Sequence, residues 1–461
     1  MDVIRTTEKL KKRAQTAIRG LKPPQIVVLV FAAIVLLGAT LLTLPISSRD
    51  GQSSGFFTAL FTATSATCVT GLTLVDTWVQ WSGFGQAVIL LLIQIGGLGF
   101  MTILTIFMLL LRRRIGMKER LMISQAFCLD SMEGTVRLIR HVIAGVFIME
   151  GAGTLILTLR FWVDYPFLTS LKLGLFHSVS AFCNAGFDLF GFVQPGGSLM
   201  PYQSDVIVNV TIMLLIVLGG LGFFVWEELR QLHRTKQLSV YTRLVLSLTG
   251  LLVFGGALGF ACLEWNNPDT IGSMSVGQKL MHCLFQSITT RTAGFFTIDQ
   301  GRLTEASKGL STFLMLIGGS SGSTAGGLKT VTFAIVPLTA LFALRGKQCV
   351  SIFHRTISNR QIRSAFALFA MFLCLIFFGG LVLSADSGLS LSNTLFESVS
   401  ALSTVGLTTG ITTTLSAGAQ LLLIVYMFFG RVGIMTIGFG FLLSNKPDEL
   451  YHYVQTEFLI G

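Results

Sequence analysis

The stretch Leu395-Phe396-Glu397-Ser398-Val399-Ser400-Ala401-Leu402-Ser403-Thr404-Val405-Gly406-Leu407 decides how this chain reads, because it is one of four. Its counterparts are Leu60-Phe61-Thr62-Ala63-Thr64-Ser65-Ala66 with Thr67-Cys68-Val69-Thr70-Gly71-Leu72, and Leu175-Phe176-His177-Ser178-Val179-Ser180-Ala181 with Cys183-Asn184-Ala185-Gly186-Phe187. The remaining one is Leu284-Phe285-Gln286-Ser287-Ile288-Thr289-Thr290 with Arg291-Thr292-Ala293-Gly294-Phe295. Each opens on a leucine-phenylalanine pair, continues in hydroxyl and small residues, and closes on a glycine turn. The glycines recur at intervals of roughly 110 residues, so one unit is repeated four times. The short apolar stretches at 55–66, 170–182, 277–289 and 391–402 would make helices of roughly 18 Å, too short for a bilayer core of about 30 Å.

Working outward, longer apolar runs flank them at 25–45, 83–111, 140–161, 205–229, 241–263, 307–344, 363–384 and 418–443. Of the 461 residues 52% are hydrophobic and 12% charged, with a mean hydropathy of +0.74. Soluble domains carry roughly 25% charged residues, so a soluble enzyme and a disordered scaffold are both excluded. The expected fold is an all-α polytopic membrane protein of four tandem helix-pore helix-helix (M1-P-M2) repeats around a central pore. It has eight transmembrane helices plus four re-entrant pore helices. The units run 25–111, 139–230, 240–346 and 362–444. A basic tail (1–24), a loop (112–138) and a C-terminal tail (445–461) complete the chain.

Most of the 33 lysines and arginines fall on one side of this threading, including Arg5 to Lys22, Arg112 to Arg140 and Arg345 to Arg363. By the positive-inside rule that side, with both termini, is cytoplasmic. The net charge of +11 is then a topology signal assisted by membrane lipid, not a nucleic-acid footprint. The apolar run after the basic tail lacks a cleavage site, so no signal peptide is expected.

Non-helical backbone at membrane depth is tolerated where it is buried in protein or lines a water-filled cavity. Four glycine turns entering from the outer side can surround one axis and direct carbonyl oxygens toward it. The candidate binding residues are Thr67, Cys68, Val69, Thr70 and Gly71; Cys183, Asn184, Ala185 and Gly186; Arg291, Thr292, Ala293 and Gly294; and Ser403, Thr404, Val405 and Gly406. No carboxylate lies within the turns, with Asp188 and Glu397 merely close, so neutral oxygens suit a monovalent ion better than a hard divalent one. Below them, Gly318-Gly319-Ser320-Ser321-Gly322-Ser323-Thr324-Ala325-Gly326-Gly327-Leu328-Lys329 interrupts the 307–344 run. So many glycines cannot sustain a helix, and the segment reads as a hinged loop beneath the ion site, a candidate gate over 318–329 with Lys329 at its end. Arg431 sits in the last apolar run, where a charge is costly. It reads as a barrier to cation passage, with a salt bridge to Glu150 as the alternative. Gly96-Gly97-Leu98-Gly99 and Gly219-Gly220-Leu221-Gly222 read as close-packing sites around the pore.

Seven scattered cysteines and six scattered histidines form no redox, metal or catalytic spacing, so the chain does not read as an enzyme. The competing class is a secondary carrier working by alternating access, either for an organic solute or for sodium and protons. Such carriers place ionisable residues at the midplane, and here Glu150 is nearly alone.

The turns, the four units and the glycine break resemble the Trk/Ktr/HKT superfamily of cation transporters across about residues 25–445. With its first unit directly after a short basic tail, the chain is most similar to KtrB-type membrane subunits of bacterial Ktr systems. Thr404-Val405-Gly406 also resembles part of a potassium-channel filter, although the second filter glycine is missing from every turn. The resemblance implies potassium uptake through a selectivity filter, with sodium as a second candidate ion and no organic cofactor. It assigns the gate to the loop and to the arginine below the filter. It also implies the bacterial plasma membrane, a homodimer, and a cytosolic nucleotide-binding (ATP/ADP) ring of the KtrA type. The apolar terminus Phe458-Leu459-Ile460-Gly461 is then the candidate dimer contact.

Overall fold

A computed structural model describes residues 23–99, 135–347 and 349–434. The basic tail, most of the basic loop from Arg112 to Arg120 and beyond, and the terminal Phe458 to Gly461 lie outside the described residues. Polar caps set where many of the helices begin. α1 (Pro23–Thr43) leads to α2 (Phe56–Thr67), and α3 (Gly83–Leu98) starts on Ser82, whose hydroxyl accepts from Gly85 N. α4 (Thr135–Phe161) and α5 (Phe167–Phe182) precede α6 (Val206–Leu221), which is capped by Asp205. α7 (Phe223–Thr235) follows, then α8 (Val240–Glu264) on a Ser239 cap and α9 (Val276–Thr289) on a Ser275–Gln278 capping box. α10 (Glu305–Leu316) and α11 (Thr330–Leu344) are separated by the glycine break. α12 (Asn359–Ser387), α13 (Leu391–Leu402) and α14 (Ala417–Val432) complete the series.

Four helices, α1, α4, α8 and α12, are each long and apolar enough to cross a membrane among the described residues, while α3, α11 and α14 are shorter apolar helices. The run at 205–229, expected as one straight crossing, is instead bent by 97° between α6 and α7. Gly222 permits the corner with φ 95°, and α7 past it (FFVWEELRQLHRT) has one apolar and one charged face, so the pair forms a broken span or a re-entrant segment. The connection to α12 also carries a small antiparallel hairpin, β1 (Ser351–Ile352) against β2 (Arg355–Thr356). Its turn places Phe353 and His354 at positive φ, a small addition to the all-helical expectation.

One contact repeats between each long helix and the short helix after it. Ser178 donates to the Glu150 carbonyl at 2.7 Å, Ser287 to Val253 at 2.8 Å and Ser398 to Ile376 at 3.0 Å. Facing these hydroxyls are Gly153, Gly256 and Gly379, where an added Cβ would collide with the serine oxygen. In the first unit Ala63 faces Gly38 at the same level. Small residues thus let each short helix seat against its long partner, which fixes the depth of the turn that follows it.

Candidate functional site

The four glycine turns share one backbone. The residue two before each glycine is left-handed, with φ 56° at Val69, 59° at Asn184, 66° at Thr292 and 53° at Thr404. The glycines themselves lie at φ 98°, 70°, 83° and 89° for Gly71, Gly186, Gly294 and Gly406. Positive φ at β-branched Val69, Thr292 and Thr404 is a genuine outlier and persists only when the surroundings hold it. The short helices supply that hold. The amides of Thr70, Ala185, Ala293 and Val405 donate to the carbonyls of Ser65, Ser180, Thr289 and Ser400 at 2.8, 2.7, 3.0 and 2.8 Å. The same four residues use their hydroxyls as well. Gly71 N and Gly406 N donate to Ser65 Oγ and Ser400 Oγ at 3.0 and 3.1 Å, while Ser180 Oγ and Thr289 Oγ1 donate to the carbonyls of Phe187 and Phe295.

The turns also close on one another. A Cβ built on Gly71 would lie 2.6 Å from the Ala185 carbonyl oxygen, one on Gly186 2.7 Å from that of Ala293, and one on Gly294 2.6 Å from that of Val405. On Gly406 it would overlap the carbonyl of Thr70, which returns the cycle to the first unit. Thr67, Cys68, Thr70, Cys183, Ala185, Thr292, Ala293, Gly294, Ser403, Thr404 and Val405 are all buried. The hydroxyl oxygens of Thr67, Thr70, Thr292, Ser403 and Thr404 have no hydrogen-bond partner among the described residues. A cyclic array of neutral oxygens can replace the hydration shell of a monovalent cation, and among the described residues no group of His, Cys, Asp or Glu suits a tightly bound metal.

The glycine break spans the residues between α10 and α11 and sits directly under the fourth turn. A Cβ on Gly326 would strike the Thr404 side chain, and one on Gly327 would lie 3.0 Å from Ser403 O. Its ends are tied together by Gly318 N to Leu328 O (2.8 Å) and Thr330 N to Gly319 O (3.1 Å). The segment is held at several points along its length. Ser320 N and Thr324 N donate to Gly220 O and Gly219 O at 3.0 and 3.2 Å, Phe223 N donates to Gly322 O at 2.9 Å, and Tyr241 OH donates to Ser321 O at 3.1 Å. Lys329 Nζ turns back onto Ala325 O at 2.8 Å. Arg431 donates to the carbonyls of Thr324, Gly96 and Gly97. It therefore bridges the loop, α3 and α14 and does not pair with Glu150, whose carboxylate accepts from Gln94 at 3.1 and 3.2 Å. Gly96, Gly219 and Gly430 let the carbonyls of Thr67, Phe182 and Leu402 approach closely.

Asp188 follows the second turn and accepts from Phe190 N at 3.0 Å. Burial, with the facing Asp76 carboxylate second, pushes its carboxyl up to about 7. Sequence reasoning missed the bracing residues behind the turns: Ser65, Ser180, Thr289 and Ser400, with His177, which accepts from Leu189 N at 3.3 Å, and Glu397, which accepts from Thr412. The signal of the four hydroxyl residues was present, since the same phrase carries a Ser or Thr there in all four units, whereas the residue at the position of His177 and Glu397 varies.

Apolar helices around a cyclic set of re-entrant turns define an integral membrane transport protein and not an enzyme. The sequence profile of the TrkH family, described as "Cation transport protein", matches residues 4–449. The chain belongs to that family. It is 37% identical over 457 residues to the "Potassium/sodium uptake protein NtpJ" of Enterococcus hirae, covering 98% of this chain and 99% of that one. It is 38% identical over 429 residues to the "Ktr system potassium uptake protein B" of Bacillus subtilis, covering 93% and 95%. Within the Trk/Ktr/HKT superfamily its full-length likeness is thus to the KtrB type. The crystal structure of the potassium transporter TrkH from Vibrio parahaemolyticus shares the fold, with a TM-score of 0.69 at 19% identity over 92% of this chain and 84% of that one.

Proposed function

We propose that this chain takes up potassium across the bacterial plasma membrane as the ion-translocating subunit of a Ktr-type system. The four turns form its selectivity filter, and the 318–329 loop with Arg431 forms its gate. The observation that carries the reading is the closed cycle in which the glycine of each turn meets the carbonyl of the next. Two features support the gate: the loop lies under Ser403 and Thr404, and Arg431 ties it to α3. Four M1-P-M2 units over 25–111, 139–230, 240–346 and 362–444, with eight crossings and cytoplasmic termini, make up the pathway. The names of the Enterococcus and Bacillus relatives support potassium as cargo and sodium as a second ion. They also support a multi-component system, for which a homodimer on a KtrA-type nucleotide-binding ring, joined through Phe458 to Gly461, is the proposed assembly. The test is potassium and sodium uptake in a transport-deficient host, with and without a cytosolic regulatory subunit. Restored growth at low potassium is expected, and uptake of neither ion in any combination overturns the proposal.

A further inference from the structure

Three residues before each glycine, the turns carry Cys68, Cys183, Arg291 and Ser403. Three of these are neutral and one is a full positive charge. All four are buried, with Arg291 only 7% exposed. The Arg291 guanidinium makes one long hydrogen bond, Nη2 to Thr330 Oγ1 at 3.4 Å, and Thr330 spends its own proton on Gly318 O at 2.9 Å. Among the described residues its Nε has no hydrogen-bond partner and no carboxylate pairs with it.

The other buried cations are better compensated. Lys308 pairs with Glu305 at 3.0 Å, Lys279 donates to Trp265 O at 2.8 Å, and Arg431 donates to three carbonyls. A buried charge is costly unless paired and hydrogen-bonded, and an uncancelled one puts its whole field on its surroundings. Arg291 belongs to the third turn, and its one hydrogen-bond partner, Thr330, is itself bonded to Gly318 of the glycine break. Coulomb repulsion scales with the valence of the passing ion. A divalent ion of potassium's size therefore meets twice the repulsion from that charge.

We propose that Arg291 is a valence discriminator, an unneutralised guanidinium in the third turn that makes this pathway reject divalent cations while tolerating monovalent ones. The inference rests on the reading of the turns as the cation pathway. Because the effect is a field and not a shape, its signature is a power law. If neutralising Arg291 strengthens potassium binding by some factor, it strengthens Ba2+ binding by the square of that factor, about threefold becoming about tenfold.

The experiment uses the full-length chain in proteoliposomes, measuring the apparent KM for potassium and the half-blocking concentration of Ba2+. In Arg291→Gln the Ba2+ value should fall by about the square of the fall in KM, whereas Arg291→Lys, which keeps the charge, should retain most of the parent's Ba2+ resistance. Equal shifts for both ions, or equal loss in the glutamine and lysine variants, overturn the proposal and assign Arg291 a packing role. The unaltered protein is itself a test should the glutamine variant fail to accumulate. Its Ba2+ block must require concentrations well above the potassium KM, and block at or below that KM overturns the inference. Absence of potassium flux in the unaltered protein would instead overturn the reading of the pathway.

Discussion

Gly406→Ala is the sharpest perturbation of the turns. Gly406 sits at φ 89°, where a side chain costs about 1–2 kcal/mol in backbone strain. A Cβ there would overlap the Thr70 carbonyl and lie 3.0 Å from Gly71 Cα. Room can come from turning the Thr70 carbonyl out of the cycle, which in the proposed filter removes one of four oxygens from the ion. Counting strain and a partly lost ligand at about 2–3 kcal/mol, the apparent potassium affinity should weaken by about 30- to 140-fold. Gly71→Ala and Gly294→Ala, each with 2.6 Å to the next carbonyl oxygen, should follow with smaller losses. Gly220→Ala is the control, since a Cβ there meets nothing nearer than Asn184 Nδ2 at 3.6 Å. The assay is concentration-dependent uptake of potassium or rubidium at matched expression. Unchanged KM and sodium exclusion in all three turn variants, or a Gly220 variant as impaired as Gly406→Ala, would refute the reasoning.

Arg431→Ala removes the bonds to Thr324, Gly96 and Gly97 and should free the loop, raising flux without a regulator by at least roughly tenfold, since the one bond that reaches the loop, to Thr324, is charge-assisted and worth about 1.5–3 kcal/mol; lower flux at normal expression would count against the gate. Arg431→Lys should be intermediate, because one ammonium cannot reproduce the planar fork across three carbonyls. Asp188, with its carboxyl at about 7 in the fold against an ordinary 3.8, binds its proton more tightly when folded. Its contribution to stability is therefore fullest below 3.8 and lost as pH rises through about 7. Over the same window the outer mouth gains a negative charge, so potassium KM should be lower at pH 8 than at pH 6, and Asp188→Asn should flatten that dependence. Gly222→Ala should strain the corner at φ 95° and crowd Ser321 O at 2.9 Å, lowering thermal stability by about 1–2 kcal/mol in a detergent melt.

The repeat was legible because each unit has to solve the same local problem. A short helix must stop at a fixed depth, and the residues that stop and brace it recur in phrase: Ser65, Ser180, Thr289 and Ser400 stand at the same place after each leucine-phenylalanine pair. The break over 318–329 was legible from glycine content alone, since no packing can make so glycine-rich a segment a good helix. The corner at Gly222 was not. Its apolar pattern continues past the glycine, and the corner is held by a bond from Phe223 N to Gly322 O, a partner about a hundred residues away.

By itself the amino-acid order determined an apolar chain of four like units, each ending a short helix in a glycine turn, because hydrophobic length and glycine content act locally. The tertiary structure alone decided that Gly71, Gly186, Gly294 and Gly406 meet in one cycle and that the loop is held by Gly219 and Gly220. It also decided that Arg431 chooses carbonyls over Glu150 and that Arg291 has no carboxylate partner among the described residues. Those outcomes depend on which distant groups share a low-dielectric space. There a charge takes whatever partner the packing brings within about 3 Å, and no spacing along the chain encodes that choice.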